Sequence, residues 1–259
     1  MLTADFHSHS RFSDGHLTVP ELVDWYGARG AKVLAITDHW CQSRTPLGRV
    51  AQLLKRTLTS QSIPHYFNTL ASESVRAWNT YGMRLIPGVE ITQNTLSHSR
   101  SAHLLFLAHH AWDLAILDPD LTPMELLLRA RRAGFLTIAA HPVSTGRIEA
   151  QTYHLWDNRK LYAPHIDAWE CGTQERYFAE VAASGLPIIA NSDFHSTKQA
   201  RAWRTRLNLS LKEEQTLRIP EIFQAIRARR LQPIWTDWRS APSILGCVST
   251  DISPITLGA

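Results

Sequence analysis

DFHSHSRFSDG, residues 5–15, sets two histidines one residue apart and places an aspartate five positions beyond the second. The stretch continues the short apolar run LTADF at 2–6, which reads as a strand. In extended chain, alternate side chains share one side, so His7 and His9 face the same way and their imidazoles can hold a single cation. One such pair is weak evidence, because isolated histidines are usually structural. The case rests on what recurs downstream.

Short apolar runs ending in polar residues follow at intervals: KVLAIT (32–37), RLIPGVEIT (84–92), HLLFLAH (103–109), FLTIAA (135–140), HIDAWE (165–170) and LPIIANS (186–192). Helix starts lie between several of them. Thr18 with Glu21, and Thr122 with Glu125, each fit the reciprocal pattern in which threonine accepts a first-turn N–H and glutamate reaches back. Pro20 and Pro123 sit where a missing N–H costs nothing, and ERYFAEVAASG predicts a helix that stops at Gly185. Strands alternating with helices predict an α/β fold with a largely parallel sheet. Seven such units close more readily into a barrel than into an open doubly wound sheet.

In a parallel barrel the carboxyl ends of the strands share one face. His7 and His9 follow the first predicted strand, His39 closes the second, Glu90 stands near the end of the third, His141 follows the fifth, and Asp193 and His195 follow the seventh. His103 is the exception: it opens the fourth strand, so either that strand begins earlier or the side chain points in from the rim. Asp14 completes a set of six histidines and three carboxylates. Carboxylates gathered in a cleft must be protonated or matched by a cation, and the surrounding imidazoles are ligands for one. A site for more than one metal ion is expected.

These residues stand in DFHSHSRFSDG, AITDH, IPGVEIT, the HLL strand, AHPV and NSDFH, which run in this order between residues 5 and 195. In that combination the chain closely resembles the PHP (polymerase and histidinol phosphatase) superfamily of metal-dependent phosphoesterases. The resemblance implies a distorted seven-stranded (β/α)7 TIM-like barrel with up to three divalent ions, zinc, manganese or iron. It implies that His7, His9, Glu90 and Asp193 hold one ion, that Glu90, His103 and His141 hold a second with Glu90 bridging, and that Asp14, His39 and His195 hold a third. All nine positions carry a competent donor. Asp38 is expected to orient His39 through its other ring nitrogen, while His16, His109 and His110 take surface or supporting roles.

Such a site suits hydrolysis of a phosphoester, a phosphomonoester or a nucleotide or oligonucleotide, by a metal-bound hydroxide. Arg44, Arg100 and Arg147, in loops next to ligand-bearing strands, are candidate phosphate contacts. Family members acting on nucleotides and short RNA commonly carry a sizeable insert between the positions of His103 and His141. Here the long insertion is 41–83 instead, expected to be helical near 50–58 and 70–78 and to shape the substrate pocket or form a lid.

With 259 residues, 44% of them hydrophobic, the chain can bury the core of one domain, expected over 1–240; the tail 241–259 reads as irregular. The longest apolar runs fall far short of the roughly 20 residues of a membrane span, and the start shows no basic-then-apolar leader, so a cytoplasmic protein is expected. Cys41, Cys171 and Cys247 lack the spacing of a thiolate metal site or a disulfide framework. The net charge of +4 comes with arginine clusters at 129–132, 201–206 and 227–230 that read as solvated faces. No aromatic-interleaved motif accompanies them, so a phosphorylated small molecule or a short nucleic acid is the expected substrate and stable duplex binding is not. Two other classes compete. An amidohydrolase also begins with HxH, but it usually needs a bridging lysine, and Lys32, Lys55, Lys160, Lys198 and Lys212 all stand away from the end of a middle strand. A non-catalytic, metal-stabilised module associated with nucleic acid predicts salt-sensitive binding without turnover.

Overall fold

The computed structural model describes residues 2–94, 101–143 and 152–239. Its strands are β1 (Leu2–Asp5), β2 (Val33–Ile36), β3 (His39–Cys41), β4 (Arg84–Gln93), β5 (Ala102–Leu107), β6 (Leu136–Ala139), β7 (Ala168–Thr173), β8 (Arg176–Tyr177), β9 (Ile188–Asn191), β10 (Arg201–Leu207) and β11 (Leu231–Asp237). They form one curled sheet in the order β11-β10-β1-β2-β4-β5-β6-β7-β8, with β3 on β4 and β9 on β7. Beyond β1 and β9 the curl draws its ends together. Ser8 bridges Phe194 in parallel, Phe194 N–H donates to the His7 carbonyl at 3.2 Å, and His9 N–H donates to the Phe194 carbonyl at 2.8 Å.

The expected seven-stranded, parallel alternation is corrected to a mixed α/β sheet of eleven strands among the described residues. β5 runs antiparallel to both β4 and β6. The β4–β5 connection spans only 94–101, shorter than the roughly dozen residues that a parallel crossover requires. β10 and β11 add an antiparallel hairpin beside β1. Residues 175–185, expected as one helix, instead contribute β8, which pairs with β7, and the short helix Ala179–Ala182.

Period-two alternation sorts the strands' side chains into two layers. Ala4, Phe6, Val33, Ala35, Ile86, Leu105, Leu107, Leu136 and Ile138 pack together with Ile222, Phe223 and Ile226 of the helix Ile219–Arg227. Leu34, Ile36, Leu85, Val89, Leu104, Phe106 and Trp169 face the other way, onto helices α1 (Val19–Gly27), α3 (Ile63–Tyr81) and α4 (Pro123–Arg132). The starts of α1 and α4 carry both reciprocal threonine–glutamate caps expected from sequence.

Helix α3 makes part of the long insertion structural. α3 buries Tyr66, Phe67 and Leu70, and the Tyr66 hydroxyl lies 2.8 Å from the Gly88 carbonyl and 3.2 Å from that of Ile36. It thereby ties β2 to β4. α2 (Pro46–Leu53) lies outside the core, with only Gly48 buried. Among the described residues no helix is long and apolar enough to cross a membrane. The tail 241–259 lies outside the described residues.

Phe223, 1% exposed, anchors the helix Ile219–Arg227 to the inner layer. Phe223→Ala should cost about 3–5 kcal/mol in urea unfolding; a loss below about 1 kcal/mol would contradict its role as a core anchor.

Candidate metal centre

β4 is ten residues long, whereas β2 is four, so β4 continues past the end of β2 and pairs there with β3, bringing His39 opposite Glu90. Glu90 shares the parity of Ile86 and therefore projects from the inner face. Because β5 is antiparallel, its first residues lie beside the carboxyl end of β4, with His103 in register with Thr92. This resolves the exception at His103, since the start of a reversed strand lies at the same rim as its neighbours' ends. The Ser8 hydroxyl bonds back to the Ala35 carbonyl at 2.7 Å, fixing the stretch that carries His7 and His9. Two donors leave their strands through left-handed backbone: His141 with φ 29° and Asp193 with φ 50°. That region is sparsely populated for residues other than glycine and often marks functional sites.

All nine sequence-predicted metal residues converge. Glu90 is fully buried; its Oε2 lies 3.6 Å from the Nε2 atoms of both His7 and His9 and 2.7 Å from His39 Nδ1. Its Oε1 lies 2.9 Å from His103 Nδ1 and 3.5 Å from His141 Nε2. Asp193 Oδ1 stands 3.4 Å from His7 Nε2 and 3.3 Å from His9 Nε2. Asp14 lies 3.6 Å from His39 Nε2 and 3.2 Å from His195 Nε2. Three groups have donor atoms within 4.8 Å of one another: His7, His9 and Asp193; His7, Glu90 and His141; and His9, Asp14, His39 and His195. His103 stands outside these groups, its Nε2 being 2.9 Å from Asn94 Oδ1.

His7 Nε2, both ring nitrogens of His9 and Glu90 Oε2 are buried without a hydrogen-bond partner. Buried polar atoms are normally satisfied, and four orphans among imidazoles and carboxylates are what divalent cations would satisfy. The donor set therefore fits metal ions.

Supporting residues differ from expectation at one point. Asp38 does not orient His39. Its carboxylate accepts from Ser10 N–H at 2.9 Å and from the Ser10 and Ser13 hydroxyls at 2.7 and 2.6 Å, bracing the loop between His9 and Asp14. His39 Nδ1 instead meets Thr92 Oγ1 at 2.7 Å. Sequence reasoning missed Glu170, which is fully buried. Its Oε1 lies 2.9 Å from His7 Nδ1 and accepts from Asn191 at 2.8 Å, while Oε2 accepts His141 N–H at 2.8 Å. A carboxylate on the far nitrogen of a metal-facing histidine fixes the ring and its tautomer. The available signal was a charged residue inside the apolar strand AWECG. Arg44 has an 84% exposed side chain whose Nε lies 3.6 Å from Asp120 Oδ2. Arg100 and Arg147 lie outside the described residues.

Without metal, protons balance this charge. Burial disfavours ionised Glu90, yet His39, His103 and His7 hold its pKa well below the usual carboxylate range. Asp193 is likewise depressed against burial by His7 and His195, and Asp14 by His39 and His195. Burial also opposes protonation of His7 and His39, but neighbouring carboxylates push both well above the usual histidine range. Against burial, Asp193 and Asp14 raise His195 to about 9. Burial, with His195 and His39 nearby, lowers His9 to about 3.

A curled α/β sheet thus carries at one rim a histidine–carboxylate cluster that could hold metal ions. The PHP domain family matches residues 5–139, just over half of the 259-residue chain, and the chain belongs to that family. Over 41 residues it is 51% identical to the 3',5'-nucleoside bisphosphate phosphatase of Chromobacterium violaceum, a match covering 16% of this chain and 14% of that relative. A two-domain protein from Bacteroides vulgatus, containing a predicted PHP-like metal-dependent phosphoesterase, superposes with TM-score 0.59 at 19% identity. That superposition covers 91% of this chain and 65% of the other, and it supports the fold alone. An amidohydrolase from Chromobacterium violaceum aligns with TM-score 0.45 and 17% identity over 75% of this chain and 88% of its own.

Metal binding should displace the protons on His7, His39 and His195. Apparent affinity in calorimetric titration should then fall about tenfold per pH unit for each proton displaced as pH drops; a pH-independent affinity would contradict this linkage. In the metal-free protein the raised histidines stabilise the fold fully below their unfolded pKa near 6.5, and His195 loses its share as pH rises through about 9. The depressed carboxylates act oppositely, losing their contribution as pH falls below about 4. Thermal melting across pH reads both limbs.

Proposed function

We propose that this PHP-family protein hydrolyses a phosphoester at a cluster of up to three divalent metal ions, zinc, manganese or iron. The observation that carries the reading is the set of unpartnered buried donor atoms on His7, His9 and Glu90. In this reading His7, His9, Glu90 and Asp193 hold one ion, Glu90, His103 and His141 a second, and Asp14, His39 and His195 a third. Cations so held acidify a bound water toward neutral pH and neutralise charge on a phosphoryl group.

The chain's own part is to fix spacing. The two oxygens of Glu90 face different histidines, Oε2 toward His7 and His9 and Oε1 toward His103 and His141, so this one carboxylate would contribute to both of two neighbouring ions. His9 offers one nitrogen to the Asp193 side and the other toward Asp14, 3.9 Å away, linking two groups. Exposed Arg44 is proposed to clamp the substrate phosphate by leaving its weak surface pairing with Asp120. Arg100 and Arg147 retain the same proposed role.

The short match to a 3',5'-nucleoside bisphosphate phosphatase supports a phosphorylated small molecule, with a nucleotide or short oligonucleotide first among those to test. The amidohydrolase alternative lacks a bridging lysine, since β5, β6 and β7 carry none.

The test is elemental analysis together with phosphate release from phosphomonoesters, nucleoside bisphosphates and short oligonucleotides with added manganese. Two to three ions per chain and chelator-sensitive turnover are expected from the three proposed sites. Glu90→Ala should lower kcat/KM on the order of a hundredfold or more by disturbing two ions; wild-type activity in that variant under metal-replete conditions would sink the assignment. Arg44→Ala should raise KM about tenfold with metal content unchanged, the loss of one charge-assisted contact. An unaltered KM would remove Arg44 from the substrate site.

A further inference from the structure

Asp193 and His195 reach the cluster from one turn, and that turn is strained, with Asp193 at φ 50°. Such backbone persists only where its surroundings enforce it. Phe194, between them, is pinned by its backbone bonds to His7 and His9. One side chain reaches the backbone of both flanking residues, while Gln174 Nε2 donates to the Asp193 carboxylate at 3.0 Å.

Gln199 Oε1 accepts the backbone N–H of His195 at 2.5 Å and that of Ser196 at 2.8 Å, and its Nε2 donates to the Asp193 carbonyl at 3.1 Å. Only one orientation of the amide satisfies these partners, because two are donors and one is an acceptor. The same Asp193 carbonyl lies 2.9 Å from His195 Nδ1. When Nδ1–H donates to that carbonyl, the lone pair of the ring is left on Nε2, which faces Asp14 at 3.2 Å. The carbonyl that Gln199 holds is thus the one that sets the His195 tautomer.

Gln199 is itself anchored. Its carbonyl accepts from Arg204 Nη2 at 3.4 Å, and fully buried Arg204 places Nε 3.1 Å from Asp5 Oδ2 with its guanidinium 3.8 Å from the Trp238 ring centroid. Asp5 Oδ1 accepts Ser192 N–H at 3.0 Å, so both ends of the 192–199 segment are tied to one buried ion pair.

We infer that Gln199 is a positioning residue of the metal centre: its side-chain amide holds the Asp193–Ser196 turn in the shape that delivers Asp193 and His195 to their ions. The inference rests on the metal reading above and adds a residue to it that donates nothing to a metal. Loss of a partner that orients a ligand weakens metal binding by about 10–100-fold, and the loss should be confined to ions that Asp193 or His195 holds.

The experiment is cadmium titration of the chelator-stripped full chain, followed by 113Cd NMR with one resonance per bound ion, in the wild type, Gln199→Leu and Gln199→Glu. Circular dichroism checks that each variant is folded. Gln199→Leu removes both kinds of bond and should weaken ions held by Asp193 or His195 by about 10–100-fold, leaving the resonance of an ion on Glu90, His103 and His141 in place. Gln199→Glu keeps the acceptor for His195 and Ser196 but turns the donor to Asp193 into a carboxylate oxygen facing its carbonyl, so it should weaken the same ions as Gln199→Leu. Wild-type affinities in a folded variant overturn the inference, as does uniform weakening of every ion, which general loosening would produce. If Gln199→Leu does not fold, Gln199→Glu decides by the same criteria. A wild-type protein that binds no cadmium removes the metal reading and this inference together, whereas normal wild-type occupancy with unaffected variants removes the inference alone.

Discussion

The carboxylate of Glu90 is fully buried and lies within 3.6 Å of nitrogens from five histidines, His7, His9, His39, His103 and His141. A buried carboxylate without compensation is among the most costly groups a fold can contain. The architecture around it reads as compensation. β4 extends past β2 to carry the residue inward, β3 joins at that level to bring His39 alongside, and reversed β5 brings His103 from the other flank. Without metal, protons on the imidazoles balance the charge.

A second ring of polar residues holds the donors still. Glu170 grips the His7 ring and the backbone of His141, while Asp38 braces the Ser10 and Ser13 hydroxyls. Gln199 secures the Asp193 turn. Glu170 and Gln199 bind mostly backbone or the far nitrogen of a ring, and Asp38 binds serine hydroxyls and backbone, leaving the near lone pairs of the histidines free. On the opposite side of the sheet the buried Asp5–Arg204 pair, with the Tyr26 hydroxyl 2.8 Å from Asp5, anchors the same segment from beneath. A site of converging donors depends on side chains held to fractions of an ångström, and these contacts supply that rigidity.

Legibility in the sequence followed locality. The threonine–glutamate caps of α1 and α4 were readable because a cap is decided within four residues. The candidate donors stand out in the sequence because most of them lie beside an apolar run of strand length. The place of His103 at the rim was left open in the sequence, because strand direction is decided by partners rather than by the run itself. Asp38 was misassigned for a related reason: adjacent residues in extended chain point to opposite sides, so the neighbour of a ligand is poorly placed to touch it. Glu170 showed only as a charge inside an apolar strand, and Gln199 stands in no recognisable pattern. Glu170 acts on His7, 163 positions away in sequence, and Gln199 on a turn whose shape exists only once Phe194 is pinned against β1.

By itself, then, the sequence determined the chemistry of the centre: six imidazoles and three carboxylates, placed at the ends of apolar segments in an order that marks the PHP family. Donor type and spacing are covalent facts, and alternation of polar and apolar residues reports which side of a strand is buried. The tertiary structure alone decided that the sheet is mixed with eleven described strands, that α3 of the long insertion packs one face into the core, and which polar residues restrain the donors. Those outcomes depend on pairing direction, loop length and contacts between distant segments, and these are settled by packing free energy rather than by any local run of residues.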